Sequence, residues 1–175
     1  RALADGFTGL RVAADATPLV RTPAQLEAFA RYEHQADRYM LDHPFRAMCA
    51  YDRAALGDDV IAQVACMHAV SEADVPFRLH ACPPAEGSAA LAGELDWTVD
   101  DLFAATLRRA DLPIGGGELV LQAGGLRFTD HGALLRLQQY ANDHATTVVL
   151  RHANPATGRL AELLDLSRVR VEVAR

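Results

Sequence analysis

Between Glu118 and Leu137 the sequence ELVLQAGGLRFTDHGALLRL changes its period, and that change limits the folds open to the whole chain. Glu118 to Gln122 is a short apolar run suited to a buried strand. Ala123 to Arg127 carries two glycines and reads as a turn, and Phe128 and Thr129 re-enter an extended segment. Asp130 stands where a helix N-cap belongs, since its carboxylate can accept orphan backbone N–H groups of the next turn. Leu134, Leu137 and Ala141 follow at helical spacing. A strand leading into a capped helix is a building unit of α/β folds.

The remainder of the chain repeats this alternation. Leu10 to Ala14 reads as a strand. Thr22-Pro23-Ala24-Gln25 is a strong helix start, with a capping threonine, a proline at the first helical position and a glutamine where a capping box needs one. That helix is expected to reach Leu41 and to end at His43-Pro44. Its apolar stripe, Leu26, Phe29, Ala30, Ala36 and Met40, also contains Glu33. A carboxylate on a core-facing stripe needs a partner or an opening. A position at the stripe edge, paired with an arginine such as Arg11 or Arg46, is the expectation, and a ligand-pocket or switch residue is the sharper alternative. Arg46 to Tyr51 reads as a second strand, Gly57 to His68 as a helix and Phe77 to Ala81 as a third strand.

Cys82-Pro83-Pro84-Ala85-Glu86-Gly87-Ser88 has linker composition. The expected organisation is a segment over 1–82, a linker over 83–92 and a second domain over 93–175. In that domain Gly93 to Trp97 reads as a strand, Thr98 as the cap of a helix, Thr146 to Leu150 as a strand, and Thr157 or Gly158 as a helix start. Val169 to Val173 alternates as a half-exposed last strand. The fold class is therefore α/β.

Composition narrows function. Seventeen cations stand against 23 acidic residues, a net charge of −6, whereas nucleic-acid binders carry a basic excess. All 17 cations are arginine. Without lysine there is no phosphate-loop lysine and no Schiff base, so Gly115-Gly116-Gly117 reads as a turn. No apolar window is long enough to span a membrane. Cys49, Cys66 and Cys82 are three and widely spaced, which fits reduced thiols in a cytoplasmic protein and neither a disulfide framework nor a metal site. No nucleophile motif accompanies the serines or cysteines, so an enzyme is not expected, and no cofactor is implied.

The Glu118–Leu137 stretch resembles the signature of STAS domains, the fold of anti-sigma factor antagonists. In these an apolar strand and a small linker lead to Asp-Ser-Ser-Gly-Leu opening a helix. Without a gap, Asp130 falls on the family Asp, His131 on the first Ser, Gly132 on the second, Ala133 on the Gly and Leu134 on the Leu. The strand–helix order from Gly93 onward is also that of the family. The resemblance implies a mixed β-sheet packed with helices and a partner of the anti-sigma factor or switch-kinase type, docked at Asp130, His131, Gly132, Ala133 and Leu134. It implies no switching by serine phosphorylation, because the imidazole of His131 has no hydroxyl to receive phosphate.

A second resemblance covers residues 6 to 80. GLRVAAD, ARYEHQADRYM, AMCAYDRAALG and a helix ending in a histidine look like the C-terminal half of a MEDS domain. This is a sensory domain of methanogen and methylotroph regulators, related to the RecA/KaiC-type ATPase fold. The matching positions are Arg11, Glu33, Cys49, Tyr51, Asp52 and His68; Ala69 stands where the family usually has Pro. The resemblance implies a small hydrocarbon-derived ligand near Glu33, Cys49 and Tyr51. The earlier half of that domain is absent from the sequence, so the chain is expected to be a fragment or to obtain that half elsewhere.

The two resemblances imply a non-enzymatic regulator that acts by protein–protein binding. The alternative is a small-ligand sensor whose STAS-like part serves for packing or for forming a homodimer.

Overall fold

The computed structural model describes residues 3–173. Strand β1 (Leu10–Asp15) leads through a 3-10 turn at Thr17–Leu19 into helix α1 (Pro23–Asp42), then strand β2 (Phe45–Ala50). The capping box at the start of α1 is complete: Gln25 N donates to Thr22 Oγ1, and Thr22 N donates to Gln25 Oε1. β1 and β2 pair in parallel as a two-stranded sheet. α1 covers one of its faces, with Tyr39 against Phe45 and the Cys49 thiol donating to Glu33. Arg11 pairs with Arg46 and Ala13 with Met48 on the opposite face, which lies open.

Two short helices follow, α2 (Arg53–Leu56) and α3 (Asp58–Ala65). The helix expected over Gly57 to His68 is α3, which starts where expected and ends early. Gly57 sits at φ +79°, a conformation that breaks helical continuity between α2 and α3, and α3 ends three residues before His68.

Strands β3 (Phe77–His80), β4 (Ala89–Leu95), β5 (Glu118–Thr129), β6 (Thr147–Ala153) and β7 (Val169–Val173) form a five-stranded sheet in sequence order. β3 is antiparallel to β4 and every other pairing is parallel. Helices α4 (Asp100–Arg109), α5 (His131–Asp143) and α6 (Pro155–Leu163) are the crossovers. Right-handed crossovers between successive neighbours place all three on one face of the sheet. The mixed sheet packed with helices is an α/β architecture. The stretch expected as an interdomain linker joins β3 to its antiparallel neighbour β4, and β4 begins inside it. Prolines and glycines mark a strand connection as readily as a domain boundary.

Two further expectations are revised. Ala123 to Arg127 is not a turn; β5 runs unbroken through both glycines. Gly125 lies opposite Ala92, and a Cβ on it would stand 2.8 Å from the Ala92 Cβ, so glycine here permits close strand approach. The helix after β4 is preceded by a 3-10 turn over Trp97–Val99 capped by Asp96, whose carboxylate accepts Thr98 N, so Thr98 is not the cap.

One continuous core joins both sheets. Leu26, Phe29 and Ala30 of α1 belong to the same buried cluster as Phe77, Leu79, Phe103 and Leu107. Phe77 and Phe103 meet edge to face at 5.4 Å, a favoured aromatic geometry. Polar ties cross the same seam. Arg109 of α4 donates to Glu27 at 2.7 Å and to Gln63 at 2.8 Å, Ala81 N donates to Asp37 at 2.7 Å, and Arg38 donates to the Ala110 carbonyl. Among the described residues no helix is long and apolar enough to cross a membrane.

Candidate functional site

Two places gather the chemistry. The first is buried under α1. Glu33 is 6% exposed. Its Oε1 accepts the Cys49 thiol at 3.4 Å, and its Oε2 lies 3.7 Å from His68 Nε2, close enough for an ion pair when His68 is protonated. Neither Arg11 nor Arg46 reaches it. Both lie on the sheet face opposite Cys49, and Arg46 donates instead to the carbonyls of Met40 and Phe45. The expected arginine partner is therefore replaced by a histidine and a thiol.

Burial, and then the Glu33 charge, push the Cys49 thiol up to about 11. The same two causes raise the Tyr51 phenol. The Tyr51 hydroxyl is buried against the Cys49 sulfur, a close approach that raises the phenol further, and it has no partner at full hydrogen-bond geometry. His34, next to Glu33 on α1, is also buried, and its Nε2 has no hydrogen-bond partner. Of the six expected sensory residues, Glu33, Cys49, Tyr51 and His68 converge. Arg11 stands apart on the open sheet face. Asp52 caps α2, its Oδ1 accepting Ala54 N at 2.9 Å, while its own N–H donates to Thr17. His34 joins the cluster although the family motif does not mark it.

This geometry has a reactive consequence. A thiol with a pKa near 11 is roughly one-thousandth thiolate at pH 8, against roughly a quarter for an ordinary cysteine. Cys49 should alkylate slowly with iodoacetamide, followed by peptide mass spectrometry. Glu33→Gln should speed it by about threefold to tenfold by removing the neighbouring charge while leaving the burial. An unchanged or slower rate would remove Glu33 from contact with this thiol.

The second place is at the carboxyl ends of β4 and β5, where α/β sheets present binding surfaces. Leu95 and Thr129 pair in register, and Asp130 N donates to the Leu95 carbonyl, so the two strand-to-helix turns emerge side by side. Asp130 caps α5, its Oδ1 accepting Ala133 N at 2.8 Å. An open depression of about 450 Å³ lies there, lined by Trp97, Asp100, Asp130, His131, Gly132, Leu135, Arg136 and Gln139. Trp97 is 81% exposed and Leu135 47%. Arg136 is held in a two-pronged ion pair by Asp100. Asp130, His131 and Gly132 thus face the depression, whereas Ala133 and Leu134 are buried in the core and anchor the helix. The sequence pattern marks Trp97 only as a strand end. A lone indole immediately before a capped helix was the available signal.

No curated protein matches the chain. Residues 1–69, about two fifths of the chain, match the family model of the MEDS domain, described as the methanogen/methylotroph, DcmR sensory domain. The match takes in all of the Glu33 cluster and stops short of the five-stranded sheet, so the first segment carries the character of a sensory domain and points to a signalling role.

Proposed function

We propose that the chain is a non-enzymatic signalling regulator of the anti-sigma factor antagonist type. In this reading the sensory segment supplies the input and the start of α5 supplies the output. The input is the buried cluster at Glu33, where a small ligand would satisfy the orphan Tyr51 hydroxyl and His34 Nε2. The output is a protein partner docked over Asp130, His131 and Gly132. What carries the reading is the exposed indole of Trp97 beside this helix start, since a large aromatic side chain left in solvent at the rim of a concavity is a feature of interaction sites. The strand, helix, strand, helix, strand, helix, strand order from β4 to β7 also supports the STAS likeness. His131 gives a kinase no hydroxyl here, so docking would depend on the input and not on serine phosphorylation.

The test is capture from a native lysate with three baits: the unaltered chain, Asp130→Arg and His131→Glu. An ATPase-type anti-sigma factor held by the first and released by about tenfold or more by Asp130→Arg is the expected result, with His131→Glu altering the capture because it places a charge at the same helix start. A capture profile identical across the three baits removes the docking role.

A further inference from the structure

The depression has a definite chemistry beyond its position. Asp100 and Asp130 line it, Asp96 and Asp101 adjoin it in the chain, and the one cation in the lining is Arg136. That guanidinium is already engaged: Asp100 grips it with both oxygens, and Asp101 acts on it from the next position. Two carboxylates therefore line the depression beside one compensated arginine and two more adjoin it in the chain, with the indole of Trp97 and the side chain of Leu135 exposed there. The nearest other arginine along β5, Arg127, is paired with Glu94.

We infer that this surface takes a basic, amphipathic helical segment of a partner protein, its apolar face on Trp97 and Leu135 and its arginines or lysines over Asp96, Asp100, Asp101 and Asp130. The inference rests on the docking reading above and gives the partner its chemistry. Charge decides the occupant. An acidic peptide or a phosphate would face the carboxylates, and Asp130 itself already sits at the start of α5 as the anion there, accepting Ala133 N. A wholly apolar segment would cover the acidic rim without bringing any positive charge to it. A basic rim around an apolar centre satisfies both parts, since interfaces pair a desolvated aromatic anchor with a complementary charged border.

The probes are two short labelled peptides with the same leucine-rich helical face, one with arginine and the other with glutamate on the polar face. Binding to the intact chain is read by fluorescence anisotropy. The arginine peptide should bind at least about tenfold more tightly than the glutamate peptide. Its affinity should fall about fivefold or more between about 0.05 and about 0.5 M salt, because the charges are exposed. Trp97→Ala should cost about tenfold or more, and Asp101→Arg should weaken the arginine peptide while leaving the fold intact, since both side chains are on the surface. Preference for the glutamate peptide with loss in Trp97→Ala would overturn the basic partner and keep the docking site. Binding of neither peptide, or binding that ignores Trp97→Ala and Asp101→Arg, would overturn both the partner chemistry and the docking reading.

Discussion

Replacing Gly93 with alanine should cost about 4 kcal/mol or more and lower the melting temperature by about 10 °C. Gly93 sits at φ +99° in β4, opposite Phe77 of the antiparallel edge strand. A Cβ there would lie 2.2 Å from the Pro76 carbonyl oxygen and 2.7 Å from the Phe77 Cα. Both are backbone atoms, so no rotamer change relieves the contact. The Pro76 carbonyl cannot simply withdraw either, because it accepts the Glu94 N–H at 2.7 Å. Backbone strain at positive φ adds about 1 to 2 kcal/mol for a side-chain-bearing residue. Gly57→Ala is the natural control: its φ is +79°, but nothing lies within 4 Å of the added methyl, so it should show the strain alone. Urea unfolding of the three proteins measures the difference. A Gly93→Ala protein as stable as Gly57→Ala would mean that β3 does not lie against β4 as described. The functional cost follows from position. β3 sets Phe77 edge to face against Phe103 of α4, and Leu79 N donates to the Cys66 carbonyl, so this hairpin ties the first segment to the helix that begins at the Trp97 depression.

The sequence was most informative where a local rule suffices. The capping box at Thr22 and Gln25 and the cap at Asp130 are short-range hydrogen-bond patterns, and both are present. The period of the apolar stripe puts Glu33 on the core-facing side of α1, where an edge position is the expectation, and the structure buries it. Its partners were not legible. His68 comes from beyond α3 and Cys49 from β2, and only the packing of α1 across β2 brings them together. The expected arginines failed for a simple reason of register: residues 11 and 46 are paired with each other on one sheet face, while residue 49 projects from the other. Gly124-Gly125 and the proline-rich stretch at Pro83-Pro84 misled in the same way. Each has turn composition, and only the neighbouring strand shows whether the chain turns, pairs or connects. Trp97 gained its meaning from Asp130, a residue far along the chain that arrives beside it because β4 and β5 are adjacent.

Acid should destabilise the chain through His34, and His34→Leu should abolish that part of the loss. His34 is 3% exposed on α1, its Nε2 has no partner, and burial, followed by the charges of Arg38 and His68, pushes its pKa down to about 4. In the unfolded chain the same imidazole titrates near 6.5. Between these values the unfolded state binds a proton that the native state refuses, so stability falls as pH falls. The contribution is fully present above about 6.5 and is lost progressively down to about 4, a total of about 3 kcal/mol at 1.36 kcal/mol per pH unit. The groups around it set the sign. Arg38 lies one turn further along α1, His68 approaches from beyond α3, and Glu33 is the preceding residue, its carboxylate turned to Cys49 and His68. A further cation placed beside Arg38 and His68 has no counter-charge of its own. Urea midpoints for the unaltered chain and His34→Leu at pH 7, 5.5 and 4.5 separate this residue from the general acid response of the carboxylates. The two stability curves should diverge as the pH falls, the leucine variant holding the advantage. Parallel curves would place the His34 ring in water, and with it would go the buried, unpartnered Nε2 that helps make the Glu33 cluster a candidate sensor.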